Sequence, residues 1–238
     1  MRRLIICAAL CLFAATGWAD FETDSIRVDR GSVIITHIGH ASLMFEYQQV
    51  VIHIDPVGTH ADYAELPDAD IILITHGHRD HYDRQAIEEL RTPETTVIHT
   101  PATKKNISNG TVLKNGETIE INNITIEAFP AYNIARSRIR FHPKGRDNGY
   151  ILTLGGERFY VAGDTEDTPE MRAMEDILVA FLPMNQPYTM RPAQVADAAK
   201  AFRPRILYPY HYGNSNVSEL VELLENERRI EVRIRQLD

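Results

Sequence analysis

One short stretch limits what this chain can become. Ile71-Ile72-Leu73-Ile74 is an unbroken apolar run, and it passes through Thr75 into His76-Gly77-His78-Arg79-Asp80-His81. An apolar run closed by a turn signal reads as a strand buried on both faces, in the middle of a covered sheet. Gly77 frees the backbone to turn. His76 and His78 are two apart, so in an extended segment they point the same way. Asp80 and His81 fall where the chain begins to coil, and they face a second point nearby. Imidazole suits zinc and its neighbours, and a carboxylate suits harder ions. One histidine beside a strand is ordinarily structural. Three histidines and an aspartate within six positions read as a metal-binding set.

The flanking pattern supplies the frame. Residues 32–38, 43–47 and 50–54 read as strands, the last two joined tightly by Gln48-Gln49. Residues 83–90 read as a helix capped by Asp83, and 96–99 as a short strand. Asn122-Asn123 and Gly155-Gly156 mark hairpins that join 118–121 to 124–129 and 150–154 to 158–161. A strand at 177–182, a helix at 192–202, a strand at 206–208, a helix at 218–225 and an alternating strand at 230–234 complete the chain. Residues 20–31 are polar and read as a loose lead-in. Together these imply an α/β (α+β) chain with two mixed sheets covered by helices.

The first 19 residues stand apart from this frame. Arg2 and Arg3 precede an apolar stretch at 4–15, and Gly17-Trp18-Ala19 supplies a small-x-small cleavage site. That is the pattern of a secretory signal peptide, with the mature chain starting near Asp20 and residues 20–238 forming one domain. The apolar stretch is shorter than the roughly 18 residues of a membrane-spanning helix. Both cysteines, Cys7 and Cys11, fall inside it, so the mature chain has no disulfide and no thiolate ligand. This suits a periplasmic or secreted protein. The whole chain has 25 basic and 33 acidic residues and a net charge of −8, which argues against a nucleic-acid surface.

His76-x-His78-x-Asp80-His81 resembles the signature of the metallo-β-lactamase fold superfamily. The likeness is strongest to the branch that holds ascorbate-6-phosphate lactonases, N-acyl-phosphatidylethanolamine phospholipase D and uncharacterised hydrolases. It implies a four-layer αββα sandwich with a dinuclear metal site on one edge between the sheets. It also implies that His76 and His78 serve one metal and Asp80 and His81 the other. Asp164, in Gly163-Asp164-Thr165, matches the family's bridging aspartate, and His211, before Tyr212-Gly213, its last ligand. Many relatives carry a histidine after the strand at 124–129, where this chain has Ala131-Tyr132-Asn133. The nearest candidate is His142, in Phe141-His142-Pro143-Lys144-Gly145, and it is assigned to the first metal, with Asn133 as the competing position. Asp55 is expected to support a ligand histidine. His40 is expected beside the ligands, His60 near the mouth, and His37, His53 and His99 in structural roles.

Two dications sharing a water lower its pKa from 15.7 towards about 7, which gives a metal-bound hydroxide as nucleophile. Asp80 is placed to orient it and take its proton. The expected activity is hydrolysis of an ester, lactone, amide or phosphodiester bond in a small-molecule or lipid-like substrate. Zinc is the expected metal, with manganese or iron as alternatives. A non-catalytic metal-binding protein on the same fold is the competing expectation, prompted by Asn133, and a true β-lactamase is a third. The stretch at 183–190 is expected to line the pocket.

Overall fold

Alternation along the strands decides the layers. In a computed structural model, which describes residues 21–237, Ile71 and Leu73 face a core shared by two sheets, while Ile72 and Ile74 face a separate cluster on the outer side. The apolar run is buried on both faces because both faces are covered. Val179 and Phe181 likewise face inward, and Ala180 and Leu182 outward.

The first sheet runs β1 (Glu22–Val28), β2 (Gly31–Gly39), β3 (Ser42–Tyr47), β4 (Val50–Ile54), β5 (Ala69–Ile74), β6 (Arg91–His99) and β7 (Thr111–Val112), side by side in chain order. The second repeats the scheme with β8 (Thr118–Ile121), β9 (Ile124–Ala131), β10 (Asp147–Leu154), β11 (Glu157–Val161), β12 (Ile177–Pro183), β13 (Ile206–Tyr210) and β14 (Glu231–Val232). In each sheet the first four strands are antiparallel and the remaining three join in parallel. Helix α1 (Arg84–Leu90) packs on the outside of the first sheet. Helices α2 (Pro169–Arg172), α3 (Pro192–Phe202) and α4 (Val217–Leu224) pack on the outside of the second. The result is the four-layer αββα sandwich. Among the described residues, no helix is long and apolar enough to cross a membrane.

Parallel strands deliver their carboxyl ends to one edge, and loops there are where open α/β sheets place ligands. Four of these ends matter: β4 leads into Asp55, β5 into His76, β11 into Asp164 and β13 into His211. Gly163, at φ 63°, lets the two sheets meet there, because a Cβ on it would lie 3.1 Å from Thr75 Cβ of the first sheet and 2.7 Å from the Asn148 carbonyl of its own. Asn148 N donates to the Thr75 carbonyl at 2.9 Å, and Tyr150 Oη donates to the Ile74 carbonyl at 2.8 Å.

Three local expectations change. Residues 20–31 are no loose lead-in, since Glu22–Val28 is an edge strand paired along its length with β2. Its polar residues hid it: only Ile26 and Val28 need burial, and Asp24 is occupied by His37 and by the C-terminal Arg235. Strand β6 starts at Arg91, directly after α1, with a register shift across the polar 92–95 stretch that masks it. The last strand shrinks to Glu231–Val232. Helices α1 and α3 and both hairpins fall where the sequence places them, and Asn122 and Asn123 both take positive φ, as the tight turn demands. The expected signal peptide and cleavage point lie outside the described residues.

Candidate metal centre

The loop after β5 carries its side chains into two groups. Nitrogen and carboxylate atoms of His76, His78, His142 and Asp164 lie within 4.8 Å of one another, and so do those of His40, Asp80, His81 and His211. All seven residues named from the sequence therefore meet at this edge, and His40 joins them. Tetrahedral zinc at 2.0–2.1 Å from its nitrogen ligands separates those ligands by about 3.3 Å. Here His76 Nε2 lies 3.1 Å from His78 Nδ1, and His142 Nε2 lies 3.2 Å from Asp164 Oδ2. In the other group His211 Nε2 is 3.4 Å from Asp80 Oδ2. Asp164 belongs to both: its Oδ1 faces His81 Nε2 at 3.4 Å and His211 Nε2 at 3.5 Å, while its Oδ2 faces His142 and His76.

A second layer fixes the rings. Asp55 accepts from His81 Nδ1 at 2.8 Å and from the Thr75 amide and hydroxyl at 2.8 and 2.6 Å. Because Thr75 gives its proton to Asp55, its oxygen accepts from His76 Nδ1 at 3.0 Å, which leaves His76 Nε2 as a bare lone pair. Asp147 accepts from His142 Nδ1 at 3.0 Å and is clamped by Arg146 at 2.8 and 2.7 Å. Asp55 was anticipated in this role. Thr75 and Asp147 were not, though an aspartate five residues after a candidate ligand in one loop was the signal available. Partners of this kind set tautomer and orientation in metal sites.

Asn133 turns elsewhere. Its Nδ2 donates to the carbonyls of Tyr188 and Arg138 at 2.7 and 3.2 Å, and it belongs to neither group. His37 pairs with Asp24, His53 bonds the Pro67 carbonyl, and His99 bonds Thr100 and Thr103. His60 stacks against His40 with centroids 5.7 Å apart.

The electrostatics favour a cation. Burial opposes charge on His81, but Asp164 and Asp55, one at each ring nitrogen, raise its pKa well above 6.5. Burial also opposes charge on Asp164, and His211 and His81 outweigh it and hold the carboxyl well below 3.8. His76, desolvated and beside His81, is pushed well below 6.5. Such a site must gather positive charge, and a metal takes the place of protons. His81 Nε2, His211 Nε2 and Asp164 Oδ1 are buried with no hydrogen-bond partner among the described residues. Atoms left in that state cost about 1–3 kcal/mol each, so imidazole and carboxylate donors at this spacing fit metal ions well.

The groups open into a cavity of about 320 Å³ lined by His78, Asp80, Phe141, His142, Asp164, Asn185, Tyr188 and His211. Asn185 and Tyr188 come from the stretch expected to line it. A larger concavity of about 680 Å³ lies at the opposite end of β12, beside Ile177, Phe202 and Arg203, and none of the residues of either metal-competent group lines it.

Comparison with known proteins agrees with this geometry. The family model described as a β-lactamase superfamily domain matches residues 34–211. A UPF0173 metal-dependent hydrolase of Methanopyrus kandleri is 30% identical over 192 residues, covering 75% of this chain and 84% of that one. The Methanosphaera stadtmanae counterpart is 31% identical over 209 residues, covering 79% and 88%. The crystal structure of a candidate metal-dependent hydrolase from Parabacteroides distasonis superposes with a TM-score of 0.89 at 50% identity, covering 92% of this chain and all of that one. Igni18, a metallo hydrolase from Ignicoccus hospitalis, superposes with a TM-score of 0.72 at 25% identity, covering 86% and 95%.

Proposed function

This chain belongs to the β-lactamase superfamily, and on that premise we propose that it is an exported, dinuclear metal-dependent hydrolase of an ester, lactone, amide or phosphodiester bond. The observation that carries the reading is Asp164, whose two carboxylate oxygens face two separate sets of imidazoles. One metal would be held by His76, His78, His142 and Asp164, the other by Asp80, His81, His211 and Asp164. Zinc suits this donor set best, with manganese or iron as alternatives. When bound, the pair supplies an acidified water and Lewis acidity for the oxygen under attack.

The chain's own residues do the rest. Asp80 is the open carboxylate of the set: its side chain is 49% exposed to the cleft, whereas Asp164 and the ligand histidines other than His78 are buried. Its Oδ2 lies 3.4 Å from both His40 and His211, which hold the carboxylate ionised and aimed across the cleft. It is the group placed to take the proton of the attacking water. Asp55, Thr75 and Asp147 keep the imidazoles in the tautomers that leave their metal-facing nitrogens bare. The alternative of a non-catalytic metal binder drew on Asn133, and that motive weakens with His142 beside His76 and His78. Export is supported by the basic start, the apolar stretch and the Gly17-Trp18-Ala19 site, and by cysteines confined to the first 19 residues.

The test is a panel of chromogenic esters, lactones and phosphodiesters with zinc-loaded protein. Turnover that is lost on chelation and restored by zinc is expected. A protein carrying two metals that cleaves none of them would refute the hydrolase.

A further inference from the structure

Two loops frame the mouth of the cleft, one following β9 and one following β12, and they are locked to each other. Asn133 Nδ2 donates to the Tyr188 carbonyl and Arg138 Nη1 to the Thr189 carbonyl at 3.1 Å, while the buried Glu166, beyond β11, anchors the first loop by accepting from the amides of Ile134 and Ala135 at 2.8 and 2.6 Å and from Arg138 Nη1 at 2.6 Å. The rim is therefore set before anything binds.

This fixed rim carries exposed apolar side chains between its exposed arginines, Arg136 and Arg140. Of the five large apolar side chains exposed among the described residues, three lie on these loops: Ile134 at 45%, Ile139 at 41% and Tyr188 at 44%. The Tyr188 ring meets Phe141 edge-on at 5.0 Å and 76°, and both line the cleft beside His78, His142 and Asp164. The Arg140 guanidinium lies 4.7 Å over the Phe141 ring. A preformed aromatic wall thus stands directly against a polar, metal-competent floor. Exposed apolar surface at the edge of a cleft adds nothing to the core and marks a place of contact.

We propose that the substrate carries an apolar arm, acyl or aryl, next to its scissile group, and that Phe141 and Tyr188 grip this arm while the polar group meets the metal-competent floor. The inference rests on the hydrolase reading and names its substrate class. A uniformly polar substrate such as a sugar phosphate leaves this wall in water and gains nothing from it.

Alkylphosphonates test it by binding, independently of turnover. Calorimetry on the zinc-loaded protein compares methyl-, butyl- and octylphosphonate, which share one head group. A methylene fully buried tightens binding about fourfold, so a one-sided wall gives about twofold, or roughly tenfold from methyl to butyl. Tyr188→Ser and Phe141→Ser should each flatten the series, weakening octyl- and butylphosphonate by a larger factor than methylphosphonate. Val221→Ser, at an equally exposed position on α4, should leave the whole series intact. Equal affinities for the three phosphonates, or a series that survives both rim variants, would overturn the proposal. Chain-length-dependent binding without cleavage of butyryl or phenyl esters would support the wall and sink the hydrolase. Cleavage without chain-length preference would do the reverse.

Discussion

Removing Asp147 should damage one metal position and spare the other. The His142–Asp147 bond is 3.0 Å long, and both side chains are 1% exposed, so water cannot replace the lost acceptor. Asp147→Ala leaves the His142 Nδ1–H buried and unpaired, frees the ring to turn, and strips Arg146 of its clamp. Loss of such a partner weakens metal binding about 10–100-fold, or about 1.4–2.8 kcal/mol, and burial places this change at the upper end. Asp147→Asn keeps an acceptor oxygen and loses only the charge, so its effect should fall at the lower end. Asp55→Ala makes the reciprocal test, because Asp55 holds His81 in the other group. Zinc titration against a chromophoric chelator resolves the two steps. Asp147→Ala should weaken the position of His76, His78 and His142, and Asp55→Ala that of Asp80, His81 and His211, with each pairing read from a companion His142→Ala or His211→Ala titration. If both variants weaken the same step equally, or Asp147→Ala leaves both unchanged, the assignment of one supporting carboxylate to each position is wrong.

Further tests address chemistry, acid stability and export. Asp80→Asn should lower turnover by about 10²–10⁴-fold in protein that still holds two metals by elemental analysis; undiminished turnover would remove Asp80 from the reaction. Burial pushes His53 from 6.5 down to about 4, so it folds as the neutral imidazole. The unfolded chain then binds the extra proton first, and this stability is present above pH 6.5 and lost as pH falls towards 4. The loss is roughly 3 kcal/mol, and urea titrations of His53→Gln across that window should show a correspondingly shallower decline. Asp24, desolvated yet held well below 3.8 by His37 and Arg235, contributes stability above pH 3.8 that vanishes as acid protonates the folded form. Accordingly, Asp24→Asn should lower the thermal midpoint at pH 7 and converge on wild type in strong acid. Mass spectrometry of protein from the native envelope should find a mature start near Asp20; an intact first 19 residues there would end the export reading.

What could be read from the chain alone depended on how near cooperating residues stood in sequence. His76, His78, Asp80 and His81 sit in one turn, so their number and spacing expose them. Asp164 and His211 are lone residues at strand ends, and only their resemblance to a known pattern separates them from turn residues. His142 emerged by default, because Asn133 stood where a histidine was expected. Its support by Asp147 had only the five-residue spacing as a signal, since the contact itself depends on how an irregular loop folds back. The same physics explains the fold errors. Double burial makes β5 plain, whereas β1 lies at a sheet edge and needs only Ile26 and Val28 inside, so its polar majority looks like a loop.

The repeated sheet plan has a consequence for how the molecule holds together. His76, His78, Asp80 and His81 come from the first seven strands, and His142, Asp164 and His211 from the second seven. Asp55 and Asp164 follow equivalent strands, β4 and β11, yet one lies beneath a ligand ring and the other between both groups. Neither half owns a complete coordination set, so any ion bound as proposed is also a cross-link between them. Its binding free energy becomes adhesion between the halves, worth about 4 kcal/mol when free metal exceeds the dissociation constant a thousandfold. Chelation should therefore loosen the seam as well as silence the chemistry, and the protein's resistance to unfolding becomes a gauge of the metal around it.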